Sequence, residues 1–191
     1  KEDNSYAASQ QQENELQEPV QINVVIKTDL GNVRTNNEDA ASFIRVSDEV
    51  LLRNKGYLLM VADGMGGHNA GEVASKMAIE IIHQEYFNHS NEKNREKLLA
   101  AAFNAANKKI FEQASAHDNY RGMGTTCTAI VLVSGTIYFA HAGDSRAYLY
   151  KNKNVFEEYY LPIALLYAGG LSNILDRFTY GGVVDYFYWH Y

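Results

Sequence analysis

Cysteine is almost missing from this chain: Cys127 is the only one in 191 residues. An intrachain disulfide is therefore excluded, and the reducing cytoplasm is the default compartment. Cys127 also lies in a strand-like stretch, which suits a small core residue better than a nucleophile. Lysine and arginine are sparse and scattered, and the formal net charge is −6. A nucleic-acid surface needs a basic stripe to displace counterions, so no nucleic-acid partner is expected. A phosphate-bearing substrate would have to be held by metal ions or by particular arginines. Internal repeats are absent. No secretory signal is legible at the start, and because the chain opens on Lys1 rather than Met, the sequence says nothing about what precedes it. The length supports one domain with a real core, on a prior of about 100 to 200 residues per domain.

Residues 1–19 are rich in Gln, Glu, Asn and Ser and have almost nothing apolar to bury, so they read as a disordered lead-in. From Val20 the character changes. Ile22 to Lys27 is β-rich, Leu30-Gly31-Asn32 supplies a turn, and Ala41 to Val46 alternates like a second strand. Ser47 to Lys55 reads as a charged connection into the apolar run Tyr57 to Ala62. Two amphipathic helices follow. The first, Gly71 to Phe87, places Ala74, Met77, Ala78, Ile81 and Ile82 on one face; the second, about Asn94 to Ala116, places Leu99, Ala102, Phe103, Ala106 and Ile110 there. Packing on a sheet explains both stripes. Thr125 to Ser134, Thr136 to Ala142 and Ser145 to Tyr150 then predict an antiparallel meander. Strands, two helices and strands again, without alternation of single strands and helices, predict an α+β layered domain.

Candidate chemistry centres on Asp63-Gly64-Met65-Gly66-Gly67-His68, a carboxylate and three glycines at the end of a buried strand. Asp63 offers a hard oxygen ligand and Gly64 a carbonyl beside it, as magnesium or manganese prefers. A lone Asp-Gly is a common turn dipeptide, but this one has company. Glu38 and Asp39 stand adjacent just before a strand, with Arg34 shortly upstream, and Asp144 sits in the turn between two later strands. Three Asp-bearing turns bordering core strands are what a multi-metal carboxylate site requires, and the planar fork of Arg34 suits a phosphate. Taken singly, Glu38 and Asp39 would be caps, Arg34 a surface charge, Asp144 a hairpin residue and His68 a surface histidine.

Four segments carry a resemblance: Asp-x-Gly-x-Val-Arg-x-x-Asn-Glu-Asp at 29 to 39, Val-Ala-Asp-Gly-Met-Gly-Gly-His at 61 to 68, Gly-Met-Gly-Thr-Thr at 122 to 126 and Gly-Asp-Ser-Arg at 143 to 146. In this order they resemble the amino-terminal motifs of bacterial type 2C protein phosphatases, metal-dependent enzymes acting on phosphoserine and phosphothreonine proteins. The resemblance implies a β-sandwich flanked by helices, with two Mg²⁺ or Mn²⁺ ions activating water and a third, weaker ion in some members. Asp63 would bridge both ions and the Gly64 carbonyl would bind one. Asp39 would serve one directly or through water with Glu38 beside it, Arg34 would grip the phosphate, and Asp144 would hold the third ion. Met65 stands where some relatives carry a histidine, so no general acid is assigned.

The resemblance is read from residues 20–150, about half of a type 2C domain. Later motifs that supply further aspartates are not recognised, so the expected fold is an incomplete type 2C-like sandwich followed by a polar connection at 151–158 and a hydrophobic aromatic tail at 159–191. Tyr159 to Leu175 carries no charge over 17 residues, the short end of a membrane span. Gly169 to Arg177, with Asn173-x-x-Asp176-Arg177, and Val183-Val184-Asp185 resemble a segment of lipoprotein signal peptidase, an intramembrane aspartic peptidase in which Asp185 would match one catalytic aspartate. Such a peptidase needs two carboxylates sharing a proton, and the partner is absent from this stretch. Three readings stand: a truncated metal-dependent phosphatase, a non-catalytic relic that binds metal or phosphoprotein, and a phosphatase fragment fused to a membrane peptidase fragment. The cytoplasm is the expected location, with a membrane-associated tail as the minor alternative.

Overall fold

The computed structural model describes residues 22–30, 35–66, 70–88 and 92–150, together with the backbone of a strand at Ile163–Tyr167. The lead-in at 1–19, Arg34, His68, Asp176 and Asp185 lie outside the described residues.

The main sheet is antiparallel and runs in the order β1 (Asp39–Ile44), β2 (Tyr57–Met65), β4 (Cys127–Val133), β5 (Thr136–Ala142), while the short β3 (Gly124–Thr125) pairs with the far end of β2. One face is covered by α2 (Ala70–Asn88) and α3 (Arg95–Ala116). Leu58 and Met60 of β2 and Cys127, Ala129 and Val131 of β4 alternate onto that face, where they meet Ile82 and Tyr86 of α2 and Leu99, Ala102 and Ala106 of α3. Period-two residues of the sheet thus mesh with period-3.6 stripes of the helices, giving the layered α+β architecture. β4 has six of its seven residues buried, which explains why its sequence, apart from Thr128, is apolar rather than alternating.

Three local expectations change. The stretch read as a charged connection contains α1 (Glu49–Lys55), seated by Asp48, whose side chain accepts hydrogen bonds from the amides of Val50 and Leu51 at 2.8 and 2.9 Å. Gly56 at φ +75° ends it, donating its amide to the Leu52 carbonyl. At seven residues the helix is too short for a period to show, yet its cap, Arg53 and Lys55 in the last turn, and the terminal glycine were readable signals. Ile22 to Lys27 is irregular rather than a strand, with Val25 91% exposed, because no described strand lies beside it to complete its hydrogen bonds. The expected three-stranded meander stops after β4 and β5. β6 (Arg146–Tyr150) leaves the sheet and pairs instead with β7 (Ile163–Tyr167), from Arg146↔Tyr167 to Tyr150↔Ile163. The turn responsible passes through Gly143 at φ +104°, a backbone conformation that L side chains rarely adopt. β6 and β7 form a separate two-stranded sheet whose β7 backbone approaches β2.

Candidate metal centre

Asp63 lies near the carboxyl end of β2 and Asp39 opens β1, and the antiparallel register sets them directly opposite one another. Directly opposed residues project to the same face with Cβ atoms about 4.5–5.5 Å apart. Two carboxylates that stand far apart in sequence are thereby delivered to one spot by strand pairing alone. The preceding residue locks the end of the pair: the Gly64 amide donates to the Glu38 carbonyl at 3.1 Å. The Asp39 amide donates to the Asn37 side-chain oxygen at 3.1 Å, which shapes the entry into β1.

Gly64 is where β2 meets the start of α2. A Cβ there would collide with the backbone carbonyl of Gly71 and come within 2.7 Å of the Glu38 carbonyl oxygen. A Cβ on Gly71 would stand 2.6 Å from a carboxylate oxygen of Glu38. The Glu38 carboxylate therefore lies against the first turn of α2, where helix amides favour negative charge. The glycines after Asp63 serve this close approach of strand and helix.

On its other side Asp63 is held by the connection between β3 and β4. Its amide donates to Thr126 Oγ1 at 3.0 Å, and its carbonyl accepts from the Thr126 amide at 2.9 Å and from Thr125 Oγ1 at 3.0 Å. Thr126 Oγ1 is 2.6 Å from Ser145 Oγ, and Ser145 follows Asp144 in the turn before β6. His141 clasps the same turn from β5, with Nε2 donating to the Gly143 carbonyl at 2.7 Å and Nδ1 against Thr128 Oγ1 at 2.8 Å. The structure thus brings Glu38, Asp39, Asp63 and Gly64 together and ties the Asp144 turn to them through Thr126 and Ser145. Thr126 and Ser145 lie within the motifs at 122 to 126 and 143 to 146, but a hydroxyl at a strand end is too common a feature for the sequence to single out unaided.

Two facing carboxylates and a glycine carbonyl are hard oxygen donors of the kind Mg²⁺ and Mn²⁺ take, and opposed like charges on neighbouring strands favour a cation between them. The set is partial. Among the described residues no three His, Cys, Asp or Glu side chains gather as a metal cluster. Beside this centre a cleft of about 600 Å³ opens between α3, the 118–125 connection and the ends of β2 and β4, with Met65, Ile110, Phe111, Met123 and Cys127 among its walls. Burial pushes the Cys127 thiol up to about 12. It stays protonated at neutral pH and is a core residue rather than a nucleophile.

Residues 33–169 match the family model of protein phosphatase 2C, so the match continues past Tyr150 to include β7. The serine/threonine phosphatase stp of Listeria innocua is 33% identical over 152 residues, covering 76% of this chain, and the chain spans 58% of that relative's length. The crystal structure of the Mycobacterium tuberculosis serine/threonine phosphatase PstP/Ppp superposes with a TM-score of 0.55 at 31% identity, covering 79% of this chain and 57% of the other. A structure of the PstP catalytic domain in complex with two manganese ions superposes with a TM-score of 0.53 at 38% identity, over 64% of this chain and 48% of the other. The chain belongs to the protein phosphatase 2C family. Its α+β layers are those of the family fold.

Proposed function

We propose that this chain is a metal-dependent phosphatase domain acting on phosphoserine and phosphothreonine proteins, and that β1 and β2 carry its half of a two-metal centre. The observation that carries this reading is the register Asp39↔Asp63 with Gly64 packed behind it. Asp39, Asp63 and the Gly64 carbonyl would hold Mg²⁺ or Mn²⁺, and Asp144 a further ion. Cations bound there would neutralise phosphate charge and lower the pKa of a water to the neutral range. Arg34, by its motif position, would orient the phosphate with its guanidinium fork. Six oxygen donors are usual around such an ion, so the remainder must come from water and from protein outside the described residues.

A second reading is a non-catalytic module that binds metal or phosphoprotein without turnover. It rests on the donors named above, since Asp39, Asp63 and Gly64 supply only part of the oxygens such an ion takes. One experiment separates the two: phosphate release from a phosphothreonine peptide with and without Mn²⁺, alongside manganese titration by calorimetry. Metal-stimulated release that disappears in Asp63→Asn supports the phosphatase. Binding without release supports the module, and release of equal rate in chelator overturns both. The single buried cysteine supports a cytoplasmic location. Among the described residues no helix is long and apolar enough to cross a membrane. The peptidase-like reading of residues 159–191 rests on the motif around Asp176 and Asp185 alone.

A further inference from the structure

We infer that Thr126 is a positioning residue that sets the Asp63 carboxylate and, through Ser145, couples it to the turn bearing Asp144. The pairing of β2 with β4 ends at Val61↔Thr128 and its pairing with β3 begins at Gly64↔Thr125 with the same offset, so Thr126 stands opposite Asp63 where the ladder is interrupted. At the hydrogen-bonded positions of an antiparallel ladder, of which this is one, the two opposed residues exchange backbone hydrogen bonds in both directions. Only one of these is made here, from the Thr126 amide to the Asp63 carbonyl at 2.9 Å. The return bond goes from the Asp63 amide to the Thr126 hydroxyl, while the Thr126 carbonyl turns to accept from Thr125 Oγ1 at 2.8 Å. A side chain has taken the place of a backbone carbonyl at the residue that matters most for the site.

That substitution frees the hydroxyl to reach a second partner. Thr126 and Ser145 are only 5% and 2% exposed, so water does not compete for their 2.6 Å contact. The turn comes this close because residue 143 is glycine: a Cβ there would lie 2.6 Å from Thr126 Cγ2. One buried hydroxyl therefore joins the backbone of Asp63 to the neighbour of Asp144. The two candidate cation ligands move as a unit, and an ion drawn to one is sensed at the other. Outer residues that orient metal ligands in this way are worth about 10–100-fold in metal affinity.

This inference rests on the reading of Asp63 and Asp144 as cation ligands, but the brace itself is geometric and can be tested without metal. The experiment uses the full chain as wild type, Thr126→Val, Thr126→Ser and Ser145→Ala. It measures Mn²⁺ affinity by calorimetry and, in chelator, amide exchange at Asp63 and Gly64 by NMR. Valine keeps the shape and removes the hydroxyl; serine keeps the hydroxyl. Expected are at least a roughly 10-fold weaker Mn²⁺ affinity and faster exchange at the two amides in Thr126→Val, with unchanged circular dichroism. Thr126→Ser restores both. Ser145→Ala weakens Mn²⁺ binding while the Asp63 amide stays protected, because that bond is still made. Wild-type affinity and exchange in Thr126→Val, or failure of serine to restore them, would overturn the inference. Should Thr126→Val not fold, the serine and Ser145→Ala variants decide by the same two readouts. If the wild type binds no manganese, the metal reading fails, and amide exchange alone still decides the brace.

Discussion

Replacing Gly64 with alanine tests whether strand β2 and helix α2 truly meet backbone to backbone behind Asp63. The new Cβ would strike the Gly71 carbonyl, lie 2.5 Å from the Gly71 carbonyl carbon and 2.7 Å from the Glu38 oxygen. Each obstacle is backbone, so no side chain can swing aside. Relief requires the first turn of α2 or the Glu38–Asp39 segment to retreat by about 1 Å, since carbon contacts settle near 3.5–4.0 Å. Overpacking of this kind costs about 1–3 kcal/mol, and the retreat also stretches the Gly64 amide bond to Glu38, worth about 1 kcal/mol. A total near 3 kcal/mol lowers the melting temperature by roughly 6–12 °C in a chain of this size. Gly71→Ala is the control. Its Cβ would meet the end of the Glu38 side chain 2.6 Å away and one backbone atom, the Gly64 carbonyl carbon, at 3.0 Å, a milder backbone clash than that of Gly64→Ala. The helix meanwhile gains up to about 1 kcal/mol from alanine, so stability should stay within about 1 kcal/mol of wild type. Equilibrium urea denaturation followed by circular dichroism measures both. A Gly64→Ala loss below about 0.5 kcal/mol, or a Gly71→Ala loss as large as that of Gly64→Ala, would refute the reasoning.

Alkaline stability should depend on Cys127 and Tyr86, whose pKa values burial raises from 9.0 and 10.0 to about 12 each. Between these limits the unfolded chain has lost protons that the native chain keeps, so stability falls as pH rises, at up to about 1.4 kcal/mol per pH unit per group. Lys55, whose pKa is lowered chiefly by burial and then by Arg95, acts in the opposite sense below 10.5. Cys127→Ala leaves the Lys55 contribution in place, so denaturation midpoints from pH 8 to 10 should decline less in that variant than in wild type; parallel curves would contradict the assignment. Tyr86→Phe keeps the ring 5.5 Å beneath the Lys55 ammonium but removes the buried hydrogen bond from the tyrosine hydroxyl to the Lys55 carbonyl at 2.8 Å. The expected loss is about 1–3 kcal/mol, because the carbonyl is left without that partner. A loss under about 0.5 kcal/mol in urea titration would show that water replaces it.

Much of the architecture was legible in sequence because its signals are local. Ala74, Ala78 and Ile82, and Leu99, Ala102, Ala106 and Ile110, repeat at helical spacing and are buried by α2 and α3, while Met77, Ile81 and Phe103 of the same stripes are only partly buried and Tyr86 and Leu98 are buried beside them. The run Cys127 to Val133 is apolar apart from the buried Thr128, as suits a strand with six of its seven residues buried. α1 was legible only by its ends, the Asp48 cap and Gly56, since seven residues make barely two turns and its hydrophobic period never establishes itself. The departure of β6 from the meander was hidden as well. Gly143 and Asp144 read equally well as a hairpin turn or as a bend between sheets, and only the partner strand β7 decides between them.

For the candidate centre, the sequence by itself determined which atoms are present: the Asp39 and Asp63 carboxylates, the glycines that let strand and helix touch, and the ordered motifs that mark the family. Residue identity and short-range spacing suffice for that, since they set chemistry and local backbone freedom. Tertiary structure decided everything that depends on pairing. A β-strand carries no record of its register until a second strand is laid beside it, because a slip of one residue would turn every side chain to the opposite face. The register adopted here puts Asp39 opposite Asp63 and Thr126 on the other flank. Ser145 then reaches Asp63 through one buried hydroxyl although it is 82 positions away, a proximity set by the packing of β-strands and one tight turn.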